Sequence, residues 1–539
     1  MLIFYLILAI IMVQLIFKIK KSLHMLQQNL YNENNRYLKW LIKNISQFLN
    51  IEILLIITAA FGSYVIYDLK TYSILLQILV AIIYCFNIVK WNNSLENEQK
   101  KKPLVITKRI KRLIITTSLL YLIPVTILII NNNNIQIGWT MLFILTIMVY
   151  LNPLVVFIAN IINLPIEKCV YIYYKNKAQS KLKEMNKLKI IGITGSYGKT
   201  SSKNILADIL NIKYNALPTP KNLNTYNGLI MTVNNHMDKF TDIFIAEMGA
   251  YVKGEIKGLC NLVKPQYGIL TRIGTAHLES FGSKENIIEG KFELIESLPI
   301  DGVGVLNRDD PNQVNYKLKN KCKILWIGID SEDVDVRATN IKCSYQGTSF
   351  DVEFKKEGRT FHFETKLLGN HNVYNILASL ALGREFGIAY EDLIQAVKGV
   401  KPVEHRLELK KLGRFYQIDD AYNSNPTGAS SALKVLKMMP GIKIVVTPGM
   451  IELGKQEDEY NEAFGEEISE VADFVILIGK NKTKAIQDGL KKKNYDFDNV
   501  IIYNDVREAY GFINAIAMEH EENVYALFEN DLPDTYNEK

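Results

Sequence analysis

The stretch that decides the fold is KIIGITGSYGKTSSKNILADIL, residues 189–210. A β-branched run (KIIGIT), a turn with two glycines (GSYGKT) and an amphipathic run read as a strand, a phosphate-holding turn and a helix over 200–211. Backbone N–H groups at a helix N-terminus hold phosphate oxygens, with Lys199 placed for the outer phosphates and the Thr200 hydroxyl for Mg²⁺. Gly195, Ser196, Gly198 and Ser201 complete the cradle. The general spacing G-x-x-x-x-G-K-[ST] is not met, because its first position falls on Ile193; the compact form T-G-x-x-G-K-T-S is. Beyond it, short β-branched runs alternate with helical stretches, the pattern of an α/β domain with a mainly parallel sheet.

The chain before this strand has another character. Residues 1–188 hold 21 Lys and Arg against 7 Asp and Glu, whereas 189–539 hold 42 against 49. A nucleic-acid binder carries its basic patch on the folded domain; here that part is acidic, which excludes nucleic acid as a partner. Five apolar stretches, near 1–17, 51–67, 71–89, 113–130 and 135–161, are long enough to cross a bilayer, which takes roughly 17–25 residues. The first is followed by its charges (Lys18, Lys20, Lys21) and by no small-residue cleavage site, so it reads as an anchor. Asn152-Pro153 predicts a kink or early exit in the fifth. Basic loops at 18–50 and 90–112 alternate with the turn near Asp68 and with Asn131–Asn134. The N-terminus is therefore expected outside, with the C-terminal portion in the cytoplasm. Four spans, with the first lying in the interface, is the alternative. Residues 166–188 read as a helical, basic connector. The scattered cysteines (Cys85, Cys169, Cys260, Cys322, Cys343) form no C-x-x-C pair, fit a reducing compartment and are expected to be small buried hydrophobes.

Six further blocks follow the phosphate turn in order: DIFIAEMGAYVKGEI (242–256), ILTRIGTAHLESFGSKENIIEGKFELIESLP (269–299), LNRDDP (306–311), GNHNVYNILASLAL (369–382), IDDAYNSNP (418–426) and TPGMIELG (447–454). With them the chain, over about 189–530, resembles the Mur ligase family, the ATP-dependent amide ligases of peptidoglycan assembly. Within it the chain is most like the branch that adds D-alanyl-D-alanine to a muramoyl-tripeptide. The resemblance implies a central ATP-binding domain (189–405) and a Rossmann-like C-terminal domain (406–539) behind an α-helical transmembrane bundle (1–165) and the connector (166–188). It implies ATP and Mg²⁺, with Thr200, Glu247 and His277 as metal ligands and Lys291 as a carbamoylated lysine closing the metal site. Asn372 would read the adenine, with Asn375 one turn along. Arg406 would approach ATP from the C-terminal domain, and Asp420 would hold the ribose hydroxyls, with Tyr422, Asn423 and Asn425 shaping the wall. Lys199, His277, Lys291 and Arg406 would be catalytic; Asn224, Thr225, Asn423 and Glu452 would meet the substrates.

Each position also has a plainer reading. Glu247 is then a solvated carboxylate at a strand end and His277 a loop histidine. Lys291 is a surface lysine paired with Glu289 or Glu293, Asn370 a helix cap, and IDDAYNSNP a turn.

Three features depart from the family pattern. Transmembrane segments stand where family members that use UDP-linked substrates carry a uridine-gripping domain. The segment LPTPKNLNTYNGLI (217–230) lacks the family's N-N-E-I-G run. The end VYALFENDLPDTYNEK replaces a K-G-S-R element with carboxylates (Glu529, Asp531, Asp534), which either bind an ammonium group or solvate the terminus. The expectation is a membrane-anchored peptide ligase working through an acyl phosphate on a UDP- or lipid-linked cell-wall precursor, with an amine as second substrate and membrane lipid as a partner. The alternatives are an amide ligase for a lipid-linked precursor or poly-amino-acid polymer, and a membrane scaffold with a decayed ATPase.

Overall fold

The computed structural model describes residues 2–44, 103–131, 135–274, 276–421, 424–451, 453 and 456–530, with isolated positions between 58 and 86. The chain divides into two compact units, residues 1–173 and 174–539.

The first unit is helical: α1 (Leu2–Gln28), α2 (Arg36–Lys43), α3 (Lys108–Ile130), α4 (Ile135–Tyr150) and the first part of α5 (Asn152–Glu184). Leu23, Leu26, Tyr37, Ile110, Leu113, Val156 and Ala159 form one of its apolar cores, and Ile11, Leu15, Tyr121, Leu142, Leu145 and Val149 another. Polar pairs cross it: Arg112 donates twice to Glu167, at 2.7 and 2.8 Å, and Asn152 links Ser22 to Tyr121. Among the described residues, α3 and α5 are long and apolar enough to cross a membrane. The apolar stretches at 51–67 and 71–89 lie outside the described residues, apart from those isolated positions. The break expected at Asn152-Pro153 falls at Leu151, between α4 and α5. The predicted connector is the end of α5, whose Ala178 and Leu182 join the core of the second unit.

That unit holds two sheets. The first has nine strands in the order β2 (Ala216–Pro218), β3 (Ile243–Glu247), β1 (Lys189–Thr194), β4 (Tyr267–Leu270), β5 (Val303–Asn307), β6 (Lys323–Gly328), β7 (Val336–Ser344), β8 (Gly347–Phe354) and β9 (Arg359–Thr365). β1 to β6 are parallel; β7, β8 and β9 pair antiparallel. The alternation of strand side chains decides the layers. Ile191, Ile193, Ile243 and Ile245 face α6 (Lys199–Leu210), while Ile190 and Phe244 join the core of the opposite face. On that opposite face lie α7 (Tyr226–Asn235), α8 (Glu255–Val263), the one-turn α9 (Leu278–Phe281) and α10 (Lys284–Glu296); α11 (Pro311–Val314) is a single turn after β5. On the α6 face lie α12 (Asn370–Glu385) and α13 (Tyr390–Gly399). The sheet is mainly parallel, as expected, with an antiparallel extension at one edge. The extension follows from hairpins closing at Gly347 and Gly358, both with positive φ.

The second sheet has the order β10 (Glu408–Leu412), β11 (Phe415–Asp420), β15 (Val524–Glu529), β12 (Ile442–Thr447), β13 (Phe474–Ile478) and β14 (Val500–Tyr503), parallel except for β10. It is covered by α14 (Pro426–Lys437), α15 (Glu457–Ser469), α16 (Lys484–Lys492) and α17 (Val506–Glu519). Of the described cysteines only Cys260 is buried; Cys169 is exposed, which corrects the expectation for it.

Candidate active site

The carboxyl ends of parallel strands, where α/β sheets bind ligands, carry the predicted residues. β1 ends at Thr194, and the loop Gly195–Gly198 turns the chain into α6. Gly195 has φ 153, and a Cβ there would lie 1.9 Å from Thr271 Oγ1, so only glycine fits. Gly198, at φ 81, is the N-cap of α6. The loop is fastened to the segment after β4. Ser196 and Tyr197 amides donate to Arg272 O, Thr271 Oγ1 donates to Tyr197 O at 2.6 Å, and Ser196 Oγ donates to Gly274 O. Lys199 Nζ donates to Gly195 O and Ser196 O at 2.6 and 3.0 Å, inside the cradle. Burial pulls its ammonium down to about 8, with Glu247 opposing and Arg406 adding to the shift. Ser201 follows, half-buried, in the first turn of α6.

Glu247, the last residue of β3, is buried rather than solvated. Its Oε1 accepts from Thr200 Oγ1 at 3.1 Å and from Asn224 Nδ2 at 3.0 Å. Its Oε2 is paired with Lys203 Nζ at 3.0 Å. Lys203 was not a candidate from sequence, because a lysine in a helix turn reads as exposed. Thr225 serves as the N-cap of α7, accepting from Gly228 N.

Lys291 lies in α10 and is 1% exposed, so the surface-lysine reading fails. Residues two apart on a helix do not share a face. Glu289 pairs with Lys253, and Glu293 accepts from the Gly254 and Lys257 amides. Lys291 Nζ reaches Ala250 O at 3.3 Å and stands over the Phe281 ring. Burial, then the Lys199 charge, pulls it down to about 7, against the opposing pull of Glu255 and Glu293. His277, in a left-handed backbone conformation at φ 61, lies 4.5 Å from the Tyr251 ring. Burial and the charges of Lys199 and Lys291 pull it down to about 4, so it is neutral at physiological pH.

At the start of α12 the N-cap is Gly369, not Asn370. Asn372 is buried and donates to Leu368 O; Asn375 donates to Asn372 Oδ1, and its own Oδ1 would lie 3.2 Å from a Cβ on Gly198. Thus α12 touches the phosphate loop. His371, which sequence reasoning passed over, has a buried Nδ1 without a hydrogen-bond partner. Burial, with Arg406 adding, pulls it down to about 4.

Arg406 sits between two non-glycine residues in left-handed conformations, His405 (φ 60) and Leu407 (φ 46). His405 Nδ1 is 2.8 Å from Asp419 Oδ2, and the Leu407 amide donates to Asp420 Oδ1 at 3.3 Å. The Arg406 charge acts on Lys199, His371, Asp420 and Glu529. Asp420 and Glu529 are register partners. Burial pushes Asp420 up to about 6 and, with Asp420 adjacent, pushes Glu529 well above the carboxylate range. Glu529 is 1% exposed and accepts from Ser424 Oγ at 2.6 Å, so it does not solvate the terminus. Asn425 is the N-cap of α14. Tyr422, Asn423, Glu452, Asp531 and Asp534 lie outside the described residues.

The LNRDDP block is a loop fastener. Asp310 accepts from the Ile273 and Asn312 amides, and Asp309 from the amides of Ile329, Asp330 and Ser331 and from the Tyr374 hydroxyl.

Two family models match the second unit. The family model for the Mur ligase middle domain matches residues 193–383, and that for the Mur ligase glutamate ligase domain matches residues 405–524. The UDP-N-acetylmuramoyl-tripeptide–D-alanyl-D-alanine ligase of Bacillus subtilis is 33% identical over 335 residues, 61% of this chain and 71% of that protein. The enzyme of the same name from Escherichia coli is 30% identical, over 54% of this chain and 65% of that one. Among solved structures, MurF from Acinetobacter baumannii superposes with a TM-score of 0.60 at 26% identity, covering 67% of this chain and 77% of that one. MurF from Thermotoga maritima in complex with ADP gives 0.59 at 26% identity, covering 67% and 80%.

Proposed function

The chain belongs to the Mur ligase family of ATP-dependent amide ligases, and from that premise we propose that it joins D-alanyl-D-alanine to a muramoyl-tripeptide through an acyl phosphate. The carrying observation is that Lys199, Thr200, Glu247, His277 and Lys291 gather around one phosphate loop while Arg406 brings a further cation to it.

In the proposed reaction a substrate carboxylate oxygen attacks the γ-phosphorus of ATP, the bond to the bridging oxygen breaks, and ADP leaves. The amine then attacks the acyl carbon, phosphate leaves, and the amine gives up a proton. Two anions must meet, so positive charge fixed in advance lowers the barrier. Lys199 and Arg406 supply it from the chain. Mg²⁺ fits the site: Thr200 Oγ1 and Glu247 Oε1 are hard oxygen donors 3.1 Å apart, the kind of set Mg²⁺ uses alongside substrate phosphates. When bound it would add charge that offsets the repulsion. Thr200 and Glu247 would hold it, with His277 offering a neutral ring and Lys291, once carbamoylated, a carboxylate-like group. Carbamoylation requires an unprotonated amine, and burial of Lys291 beside Lys199 favours that form near neutral pH. Asn372 and Asp420 would orient the adenine and ribose.

In this reading the first unit is a membrane segment that keeps the ligase beside its precursor, with the catalytic unit in the cytoplasm; α3 and α5 support it. The same feature favours a second reading, in which the precursor is gripped by its lipid. The test is product mass spectrometry on detergent-purified full chain with ATP, Mg²⁺ and D-alanyl-D-alanine, offering the tripeptide in UDP-linked and polyprenyl-linked forms. Conversion of the UDP form makes the membrane an address. Conversion of the lipid form alone makes the first unit part of the substrate site. Conversion of neither, with ATP still bound, overturns the substrate assignment in favour of another amine or polymer.

A further inference from the structure

Lys203 stands one turn beyond Thr200 on α6, and nothing in the reaction above uses it. Its ammonium lies 3.0 Å from Glu247 Oε2 and donates to Lys221 O at 2.5 Å, and both Lys203 and Glu247 side chains are 1% exposed. The carboxylate is thereby divided: Oε2 belongs to Lys203, while Oε1 faces Thr200 and Asn224.

The far side of this ammonium is a single segment. Thr219 Oγ1 accepts from the Glu247 amide at 3.2 Å, and Asn224 O accepts from the Gly249 amide at 2.8 Å. Lys221 is held at φ 48, a conformation that L-residues adopt at a cost. The approach is close: a Cβ on Gly249 would meet the Asn224 side chain at 2.9 Å. Residues 219–224 are thus fastened to the end of β3 at both ends by hydrogen bonds, and in the middle by one cation.

We propose that Lys203 is a positioning residue: by bridging Glu247 Oε2 and Lys221 O it locks residues 219–224 to the nucleotide side of the site and fixes which carboxylate oxygen is presented to Thr200. It rests on the proposed function only for the expectation that Asn224 and Thr225 lie against the muramoyl substrate; the positioning itself does not.

The test is hydrogen exchange on the full chain in detergent, comparing wild type, Lys203→Met and Lys203→Met/Glu247→Gln. In Lys203→Met, amides of 219–225 are expected to lose protection by about 10-fold or more while 195–201 stay within about 2-fold, as for a local rather than global opening. The double variant removes the stranded carboxylate and so keeps the test valid if the single one is too unstable. In it, 219–225 should remain unprotected, because Lys221 O still lacks its donor. Unchanged protection of 219–225 in either variant, or a loss spread evenly through the domain, overturns the proposal. Where turnover is measurable, Lys203→Met should raise KM for the muramoyl substrate by about 10-fold and that for ATP by less than about 2-fold. An equal rise in both overturns it as well. The exchange arm needs no substrate, so it decides the proposal even if the substrate assignment fails.

Discussion

Lys203 and Lys291 are buried to the same degree on two helices of one domain, and each donates to a backbone carbonyl. Beyond that carbonyl, Lys203 meets a carboxylate, whereas Lys291 meets the face of a phenyl ring. Acids are near Lys291 too, but Glu289 is held by Lys253 and Glu293 by two helix-end amides. Depth alone therefore does not decide what a buried lysine does; where the neighbouring carboxylates are fastened does. Lys203 is a scaffold cation in an ion pair, and Lys291 is an amine poised to lose its proton near neutrality.

The largest expected effect comes from the cation that Lys291 shares its surroundings with. Lys199→Ala should lower ATP-dependent turnover by at least about 10³-fold, as for removal of a fixed charge at the reacting phosphate. It should also shift carbamate formation at Lys291, in which the free amine adds to carbon dioxide and releases a proton, to higher pH, since a neighbouring positive charge is gone. ADP release and labelled-bicarbonate NMR read the two. Full turnover in this variant would end the phosphate-loop assignment.

Next, Lys291→Met should cost about 10²-fold in kcat, with the carbamate resonance from labelled bicarbonate disappearing. A wild-type protein that never shows that resonance would leave Lys291 and Lys203 without the chemical contrast. The linkage has a defined sign. The folded value of about 7 lies below the ordinary 10.5, so between them the unfolded chain binds the extra proton. Relative to Lys291→Met, wild-type stability should rise with pH across that window, as differential scanning calorimetry would record.

Phe281→Glu would give Lys291 the carboxylate it lacks and make it resemble Lys203. Turnover near neutral pH should fall by about 10-fold and recover in part at higher pH, while Phe281→Gln should show no such pH recovery. The smallest effect is expected at Asp420. Burial holds it up at about 6, so KM for ATP should rise as pH falls through that value. Asp420→Asn should bind ATP a few-fold more weakly, with the pH dependence gone.

What was legible in the sequence follows the range of the interactions. The phosphate turn is local: Gly195, Gly198, Lys199 and Thr200 are neighbours in the chain, and strand, turn and helix came out where the pattern put them. Glu247 stood out at the end of an apolar strand. Its partner did not, because the burial of Lys203 depends on a segment and a strand that only the folded sheet brings together. The plain reading of Lys291 failed on helix geometry, since its acidic neighbours two positions away point elsewhere. LNRDDP was one of the blocks that carried the resemblance, and its two carboxylates are engaged by loop amides. The hairpins of β7–β9 were hidden behind the stronger parallel pattern before them.

The bend around Arg406 carries a lesson for anyone evolving this protein toward heat resistance. His405 and Leu407 hold left-handed conformations that cost about 1–3 kcal/mol each for residues other than glycine. A screen for melting temperature alone would reward His405→Gly, which removes that strain from a half-exposed side chain, whereas Leu407 is part of the buried core. The same change would free Asp419 of its His405 contact and loosen the bend that carries Arg406, whose charge acts on Lys199. Selection for robustness and selection for turnover thus pull in opposite directions at this one position, and a library scored on both should show the trade-off as a slope.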